Sequence, residues 1–549
     1  MFKRSLSSLL LVASLLVSSF ASAQVQEEFE VNVARKLKEC EQLVKKAVTF
    51  FKNHTIAESG RAFVEDKAWR KGEIGILLFD EGGVCYTFGK DRRHIWRDFQ
   101  SERTMAEEDF IPEMLEVGKE GGFVNWKVDN GYMQTYVKRV VKQGKTYLIA
   151  AGFFPSSDRY ITEQLVKTAV KWGSAMTGKD HTRSARQLFD QISNPYGIFR
   201  RGGIYLYVYD MEGNVVAHGE SVELIGSNVI DEQTSDKKYR TRDLIKIAKS
   251  SEGHGWYTYQ ARQGNATKIA YAERYIDPAT NKMYVIVAGY YPNIDDSTVQ
   301  TFVKKAATYL RVNGSEKALP EFSKRLGDFV YGDVSIFVYN TTGVMLADSA
   351  NQAFIGLNLM STRDQAGKYI TKLILEYADK YPSGSWLGFT MRNAHSLMYV
   401  EKVKIPDGDF IVGASYFPSS KYVYVRFMVD NAIQFLKAHP REDAFNMFVN
   451  GDPEFLRGDL QVFIIDETGA ILVDGPNRQA IWSDSTKFKD EKDRSISDRL
   501  LAIAKSGGGW FEHKVDNGIR RAFVKLLTKE ATQKGEEPET FVVGSFYYL

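Results

Sequence analysis

The residues of this sequence that could carry catalysis do not form a recognisable catalytic motif. No His-Glu-x-x-His, Gly-x-Ser-x-Gly or Gly-x-Gly-x-x-Gly is present, and the eight histidines lack the spacing of metal ligands. Gly144-Lys145-Thr146 is similar to the end of a phosphate-binding loop, but Arg139 stands where the upstream glycine belongs. We therefore predict no enzyme activity, no cofactor and no metal site.

The chain contains four repeats, and some equivalent positions in them carry side chains of different chemistry. Four repeats align on Asp80, Asp210, Asn340 and Asp466, each with a glycine eight residues before it and another three residues after it. The Asp-x-x-Gly pattern predicts a turn after a strand. Agreement at identical offsets indicates duplication of one folding unit. The position eight residues after each anchor differs in residue type among the repeats and is occupied by Phe88, His218, Asp348 and Asp474.

Two later positions in each repeat diverge as well. One lies three residues after a bulky aromatic residue and is occupied by Trp126, Tyr259, Phe389 and His513. The other lies three residues before an aromatic residue (Tyr136, Tyr271, Tyr399 and Phe523) and is occupied by Met133, Lys268, Ser396 and Arg520. The second and fourth repeats therefore carry a cation here, and the first and third do not.

A long helix and a strand must position these residues in each repeat. In the second repeat apolar residues recur at helical spacing, namely Ile161, Leu165, Ala169, Val170 and Trp172. The strand before each anchor has one face that is aliphatic in all repeats (Ile204, Leu206 and Val208 in the second) and one that varies (Tyr205, Tyr207 and Tyr209). We expect the constant face to pack under the helix and the variable face to recognise a ligand.

This succession resembles the Cache family of extracytoplasmic PAS-like sensor domains, in its single-Cache type 2 form. The second repeat matches best, in YLYVYDMEGNVVAHG at 205–219, IGSN at 225–228, GHGWYTY at 253–259, KIAYAERY at 268–275 and VIVAGYY at 285–291. The resemblance implies an α+β fold of four tandem PAS-like Cache modules, each with a long N-terminal helix packed on an antiparallel β-sheet. The implied boundaries, called repeats 1 to 4 below, are 24–157, 158–294, 295–420 and 421–549.

The resemblance also implies a small-molecule pocket on the sheet face opposite the long helix. Its ligand-binding residues in repeat 2 would be Tyr205, Tyr207, His218, Tyr259, Lys268 and Tyr271. A lysine beside phenol and imidazole donors suits a small carboxylate or an amino acid, because charge-assisted hydrogen bonds are strong. The alternative is a set of amphipathic residues at a sheet edge, with Lys268 in water. The second candidate pocket, in repeat 4, comprises Asp474, His513 and Arg520, and repeats 1 and 3 would be spacers.

The first 23 residues have the pattern of a secretory signal peptide. Lys3 and Arg4 precede an apolar stretch, and Ala21-Ser22-Ala23 fits a cleavage site. Cleavage would leave no transmembrane segment and place the protein in the periplasm or outside the cell. Export permits a disulfide between Cys40 and Cys85, and two buried free thiols are the alternative.

Charge and repetition leave two functional hypotheses. With 72 basic and 69 acidic residues, the net charge of +3 argues against a dedicated nucleic-acid-binding protein. The first hypothesis is a sensor-type protein that binds a small metabolite and works with a membrane signalling protein. The second is a structural or protein-interaction repeat protein of the cell envelope with no small ligand.

Overall fold

The computed structural model is described here for residues 33–549, apart from positions 90, 106–107, 130, 156, 175–184, 263, 419–420, 453, 476, 478–480, 482, 484, 486–488, 490–494, 516–517 and 530–537. The predicted signal peptide, residues 1–23, lies outside the described residues. Within them, no helix combines the length and the apolar character that a membrane span requires.

Long and short helices alternate with the strands along the chain. The helices are α1 (33–53), α2 (Ile56–Glu65), α3 (Phe110–Val117), α4 (Asp158–Ser174), α5 (Ala185–Ser193), α6 (Arg240–Lys249), α7 (Asp296–Phe322), α8 (Ile370–Lys380), α9 (Lys421–Ala438), α10 (Arg441–Val449) and α11 (Ile496–Lys505). Gly314 interrupts α7 with a φ of 74°, so this element is two helices joined at a kink. Each repeat thus opens with a long helix followed by a shorter one.

The strands follow in sequence order. They are β1 (Arg70–Lys71), β2 (Ile74–Asp80), β3 (Cys85–Phe88), β4 (Gly122–Val128), β5 (Gly131–Lys142), β6 (Lys145–Phe153), β7 (Arg200–Arg201), β8 (Ile204–Asp210), β9 (Val215–His218), β10 (His254–Gln260), β11 (Thr267–Ile276), β12 (Met283–Tyr290), β13 (Val330–Tyr331), β14 (Val334–Ser335), β15 (Phe337–Asn340), β16 (Met345–Asp348), β17 (Ser385–Met391), β18 (Ala394–Ile405), β19 (Gly408–Tyr416), β20 (Leu456–Arg457), β21 (Leu460–Asp466), β22 (Ile471–Asp474), β23 (Gly509–Val515), β24 (Gly518–Lys529) and β25 (Glu539–Tyr548).

The strands form antiparallel sheets that share one strand order. The path is β2-β6-β5-β4 in repeat 1, β8-β12-β11-β10 in repeat 2, β15-β19-β18-β17 in repeat 3 and β21-β25-β24-β23 in repeat 4. In each sheet the anchor strand also pairs with the short strand after it, which is β3, β9, β16 or β22. The fold is therefore mixed α and β with antiparallel sheets, as predicted.

The anchor residues make the predicted turns. Asp210 accepts hydrogen bonds from the backbone amides of Glu212 and Asn214, and Gly213 follows with a φ of 88°. The other three anchors bond the amides at the same two offsets. This geometry explains why the anchor and its glycine recur, since a left-handed backbone favours glycine.

The described residues divide into two compact units. Among the described residues, the inner unit comprises those between 157 and 418, and the outer unit comprises those between 33 and 155 and from 421 onward. The inner unit thus contains repeats 2 and 3, and the outer unit contains repeats 1 and 4. The outer unit is therefore discontinuous in sequence.

In repeat 2 the sheet lies between a long helix and a short one. Helix α4 packs against β8, β11 and β12, and α6 packs against β10, β11 and β12. The aliphatic side chains of β8 are buried, as the constant face should be. The variable face is buried too, in a cluster that Leu244 and Ile245 of α6 help to form. A ligand on this face would therefore lie between the sheet and α6.

Candidate ligand-binding site

A row of tyrosines lines the variable face of the sheet in repeat 2. Because successive strand residues point to opposite faces, Tyr205, Tyr207 and Tyr209 of β8 share this face. Tyr207 and Tyr209 are buried beside α6. The Tyr207 hydroxyl is buried and has no hydrogen-bond partner among the described residues. A buried hydroxyl normally has a partner, so this one offers a donor to a ligand.

Lys268 extends across this row of tyrosines. The register of β10 and β11 pairs Lys268 with Tyr259, and the lysine is 3% exposed. Its Nζ donates to Tyr205 Oη at 3.3 Å and lies 4.7 and 4.9 Å from the ring centroids of Tyr205 and Tyr291. Burial favours the neutral amine, but the surrounding tyrosines raise the pKa of Lys268 above its ordinary value. The ammonium is therefore retained at neutral pH.

The ammonium of Lys268 has no ion-pair partner in the part of the chain that the structure describes. The charge of Lys268 acts on Asp333, which lies in the turn between β13 and β14. The two side chains nevertheless form no ion pair, since their nitrogen and oxygen atoms do not come within 4.0 Å of each other. Fully buried lysines are otherwise found in pairs with an anion. The site therefore has a positive charge without a carboxylate partner among the described residues.

His218 adds a neutral donor to the same face. The register of β8 and β9 places it opposite Tyr207, with ring centroids 5.6 Å apart. The backbone amides of Glu220 and Ser221 donate to its Nδ1 at 3.2 and 2.8 Å. Burial, and then the charge of Lys268, lowers the pKa of His218 to about 3. Since Nδ1 accepts, the proton of the neutral ring is on Nε2.

Arg240 is a site residue that the sequence prediction missed. It begins α6, donates from Nη2 to Tyr209 Oη at 3.2 Å and lies with its guanidinium 5.6 Å from the ring centroid of Tyr259. Burial alone would raise the pKa of Tyr259, but the charges of Lys268 and Arg240 bring it below its ordinary value. The site thus contains two cations.

Tyr271 does not belong to this site, contrary to the prediction. It lies three residues beyond Lys268 on the same strand, so it points to the opposite face. There its ring pairs with that of Trp256, and its hydroxyl donates to Glu273 at 3.1 Å. The corresponding aromatic pairs Phe123 with Tyr136, Trp386 with Tyr399 and Trp510 with Phe523 recur in the other sheets. Tyr271 is therefore a structural residue of the face that packs under α4.

The second candidate pocket, in repeat 4, brings its cation against aromatic residues. His513 and Arg520 lie opposite each other on β23 and β24. Arg520 donates to Tyr548 Oη at 2.7 Å, and its guanidinium lies 3.9 Å from the ring centroid of Phe546. Asp474 accepts hydrogen bonds at 2.9 Å from the side-chain amides of two neighbours, Gln461 and Asn477. Arg520 and Asp474 thus each have a polar partner in repeat 4.

Repeats 1 and 3 have no cation at the matching positions. Trp126 pairs with Met133 in a buried apolar cluster of the outer unit. Phe389 pairs with Ser396, and Phe389 lies in an apolar cluster of the inner unit. The four pairs at this position share one register, so the divergent positions identified in the sequence are cross-strand neighbours.

An open cleft of about 590 Å³ lies elsewhere in the inner unit, between α7 and β18. Its basic residues include Arg311, which pairs with Glu401 at 2.7 Å, and Lys402, which pairs with Asp379 at 2.7 Å. Two of the basic residues that line this open cleft are therefore already paired with carboxylates.

One cluster in the outer unit has the composition of a metal site. Asp91, His94 and Asp129 each offer a ligand atom, and His94 Nε2 lies 3.1 Å from Asp129 Oδ2. Arg93, however, forms ion pairs with both carboxylates. Burial alone would raise the pKa of Asp129, but the hydrogen bond with His94 and the charge of Arg93 hold it below its ordinary value. The guanidinium thus supplies the positive charge that a metal ion would bring.

The permitted disulfide is not formed. Cys40 and Cys85 are both free and buried, which corresponds to the second alternative drawn from the sequence. Burial raises the pKa of each thiol well above its ordinary value. Cys85 Sγ donates to the carbonyl of Thr87 at 3.2 Å. Both residues are therefore small core side chains without thiolate character.

Residues 163–417 match the family model dCache_2, described as a Cache domain. The match covers slightly less than half of the chain, lies within the inner unit and spans repeats 2 and 3 as a single hit. Cache domains are sensory ligand-binding domains and are typically extracytoplasmic. No curated protein sequence matches this chain.

Several solved structures share limited similarity with parts of the chain. A periplasmic sensor domain of a chemotaxis protein is 18% identical, covers 24% of this chain and 93% of its own, and has a TM-score of 0.20. A Cache chemosensory domain studied for carboxylic acid recognition is 16% identical over 24% of this chain and 90% of its own, with a TM-score of 0.19. The ligand-binding domain of the Pseudomonas fluorescens chemoreceptor CtaA in complex with L-isoleucine is 12% identical over 45% of this chain and 82% of its own, also with a TM-score of 0.19.

Proposed function

We propose that the inner unit binds a small carboxylate, free or as part of an amino acid, at Lys268. The observation that carries this proposal is a fully buried ammonium that has no carboxylate partner among the described residues. A carboxylate would neutralise the ammonium and accept charge-assisted hydrogen bonds, which are the strong ones. Since an uncompensated buried charge is unfavourable, the free site gains most from a ligand of opposite charge.

The neighbouring groups suit the remaining oxygen lone pairs of a carboxylate. The Tyr207 hydroxyl is a buried donor without a partner in the described chain, and neutral His218 has its proton on Nε2. A carboxylate accepts through about four lone-pair sites, so it can use several donors at once. The tyrosine rings provide the apolar walls typical of a small-molecule site.

We further propose that this binding serves signal sensing outside the cytoplasm. The signal-like residues 1–23 and the Cache match over residues 163–417 support this part. The four repeats would then be four tandem Cache modules, of which repeat 2 binds the ligand and works with a membrane signalling protein. The alternative, a structural repeat protein of the cell envelope, predicts that no small ligand stabilises the inner unit.

Binding to a panel of carboxylates and amino acids tests the proposal. The full chain is screened by thermal shift, and each hit is measured by isothermal titration calorimetry. A ligand at 100 times its Kd should stabilise the inner unit by about 2.7 kcal/mol. Lys268→Met should weaken binding by at least about 30-fold, because losing one partner of a buried charge pair costs about 2–5 kcal/mol.

Tyr271→Phe is the matched control, since it alters a neighbouring residue of β11 on the opposite face. It should leave the Kd unchanged. No stabilisation by any member of the panel would contradict the proposal. A hit that binds Lys268→Met as tightly as the original chain would show that the ligand lies elsewhere.

A further inference from the structure

The position of Arg240 carries an apolar residue, in or against the core, in the other repeats. The residues thirty positions after the anchors are Phe110, Arg240, Ile370 and Ile496, and each of them begins the short helix that covers the sheet. Phe110 is fully buried and stacks on Trp126, with ring centroids 3.9 Å apart. In repeat 2 the equivalent of this pair is Arg240 over Tyr259. A guanidinium has therefore replaced an apolar side chain between helix and sheet.

Arg240 is not satisfied by its surroundings. Its Nη2 donates to Tyr209 Oη, but its Nε is buried and has no hydrogen-bond partner among the described residues. No acidic side chain of the described chain forms an ion pair with it, and tyrosines are the groups that act on its charge. An arginine placed in a core position without a carboxylate is unfavourable unless another anion completes it.

The two cations lie toward opposite ends of the tyrosine row. Lys268 contacts Tyr205 at the start of β8, and Arg240 contacts Tyr209 at its end. The ring centroids along the row are 6.2 Å apart between Tyr205 and Tyr207, and 5.5 Å apart between Tyr207 and Tyr209. Tyr207, with its unpartnered buried hydroxyl, stands between the two cations.

We propose that the ligand of this site is a small dicarboxylate, with one carboxylate on Lys268 and the other on Arg240. This inference rests on the proposed carboxylate-binding function and narrows its ligand class. One carboxylate would accept from Lys268 Nζ, and the second would accept from Arg240 Nε and Nη2, the fork that guanidinium groups present to carboxylates. Two cations disfavour an ammonium group between them, so the site selects against simple amino acids.

A series of small carboxylates of different length shows whether the ligand binds through one carboxylate or through two. The full chain is titrated by calorimetry with propionate, malonate, succinate, glutarate and L-alanine. We expect one dicarboxylate to bind at least about 30-fold more tightly than propionate, since truncating one partner of a buried charge pair has an effect of this order. L-Alanine should bind no better than propionate.

Arg240→Ile provides the second arm of the experiment. Isoleucine occupies the equivalent position in repeats 3 and 4, so the variant should fold. It should reduce the affinity for the best dicarboxylate to that of propionate and leave the affinity for propionate unchanged. The control is Arg242→Gln, which alters an exposed arginine of the same helix that pairs with Asp231. It should change neither affinity.

The outcomes separate this inference from the proposed function. If propionate binds as tightly as every dicarboxylate, or if Arg240→Ile retains the preference for the dicarboxylate, the dianion assignment is wrong while carboxylate binding stands. If no carboxylate binds, both are wrong. Should Arg240→Ile fail to fold, the chain-length series with the unaltered chain still decides.

Discussion

Removing the charge of Lys268 should leave the ligand-free inner unit at least as stable as before. The ammonium lies over two tyrosine rings, at 4.7 and 4.9 Å from their centroids, and donates one hydrogen bond of 3.3 Å. Cation–π contacts contribute about 2 kcal/mol or more each when desolvated. A long hydrogen bond to a neutral acceptor adds about 1 kcal/mol. These gains stand against a desolvation cost of several kcal/mol for a buried ammonium.

Methionine keeps the apolar stem of the lysine and removes the charge. We therefore expect Lys268→Met to change the free energy of unfolding of the inner unit by about 0–2 kcal/mol in the stabilising direction. If Lys268 instead had a buried structural anion, the same substitution would leave that anion buried alone and cost about 3–5 kcal/mol. The sign of the change thus separates a binding lysine from a structural one.

Native-state hydrogen exchange measured by mass spectrometry is the appropriate assay. Peptides from β8 and β11 report the unfolding of the inner unit separately from that of the outer unit. Lys282→Met, at an exposed position just before β12, is the control and should change stability by less than about 0.5 kcal/mol. A loss of 2 kcal/mol or more in Lys268→Met alone would refute the view that this charge is held for a ligand.

Three further predictions concern the outer unit. Lys421→Met should cost the outer unit about 3–5 kcal/mol, because the buried carboxylate of Asp459 accepts from Lys421 at 2.7 Å, and adding Asp459→Asn should recover most of the loss. Urea unfolding measures both, and a cost below 1 kcal/mol would contradict the buried pair. Asp129 has a lowered pKa, so its stabilising contribution is complete above the ordinary aspartate pKa and is lost as the pH falls through the folded value. The stability of Asp129→Asn should accordingly converge with that of the unaltered chain in strong acid, and a constant difference across pH would contradict the pairing. Cys40 and Cys85 should be unreactive toward a thiol reagent in the folded chain and both reactive after unfolding without reductant, whereas an unreactive unfolded chain would indicate a disulfide.

The repeat predicted the sheet of each segment because turn chemistry recurs at fixed offsets. A constant distance from the anchor turn to a strand residue imposes the same hairpin register in every copy. Trp126 with Met133, and Tyr259 with Lys268, were therefore identifiable as equivalent positions before their contact was seen. The face that carries the cation followed from the same spacing.

The prediction that Tyr271 belongs to the site is wrong, although its distance in sequence from Lys268 already places it on the other face of the sheet. Three residues along a strand is an odd number, so Lys268 and Tyr271 cannot share a face. The sequence also contained a signal for Arg240, because the equivalent first residue of the short helix is apolar in the other three repeats. Neither its contact with Tyr209 nor its buried Nε could be foreseen, because both depend on how closely α6 approaches the sheet.

The helix phase and the grouping of the repeats required the structure. Helix α4 buries Thr162, Leu165, Val166, Ala169 and Gly173, whereas the apolar spacing predicted a stripe that included Val170 and Trp172. Gly173 is buried because the ring of Tyr275 lies against it, a close approach that hydrophobicity does not encode. Repeats 1 and 4 form one compact unit although they lie at opposite ends of the described chain, and sequence order does not encode such long-range packing.

The most direct test of carboxylate binding at Lys268 is a crystal structure of the full chain with the tightest-binding carboxylate of the panel. We predict a carboxylate oxygen within about 2.7–2.9 Å of Lys268 Nζ, on the face that carries Tyr205 and Tyr207. Ligand density in the outer unit or beside Tyr271, with Lys268 left without an anion or paired with Asp333, would contradict the assignment of this site.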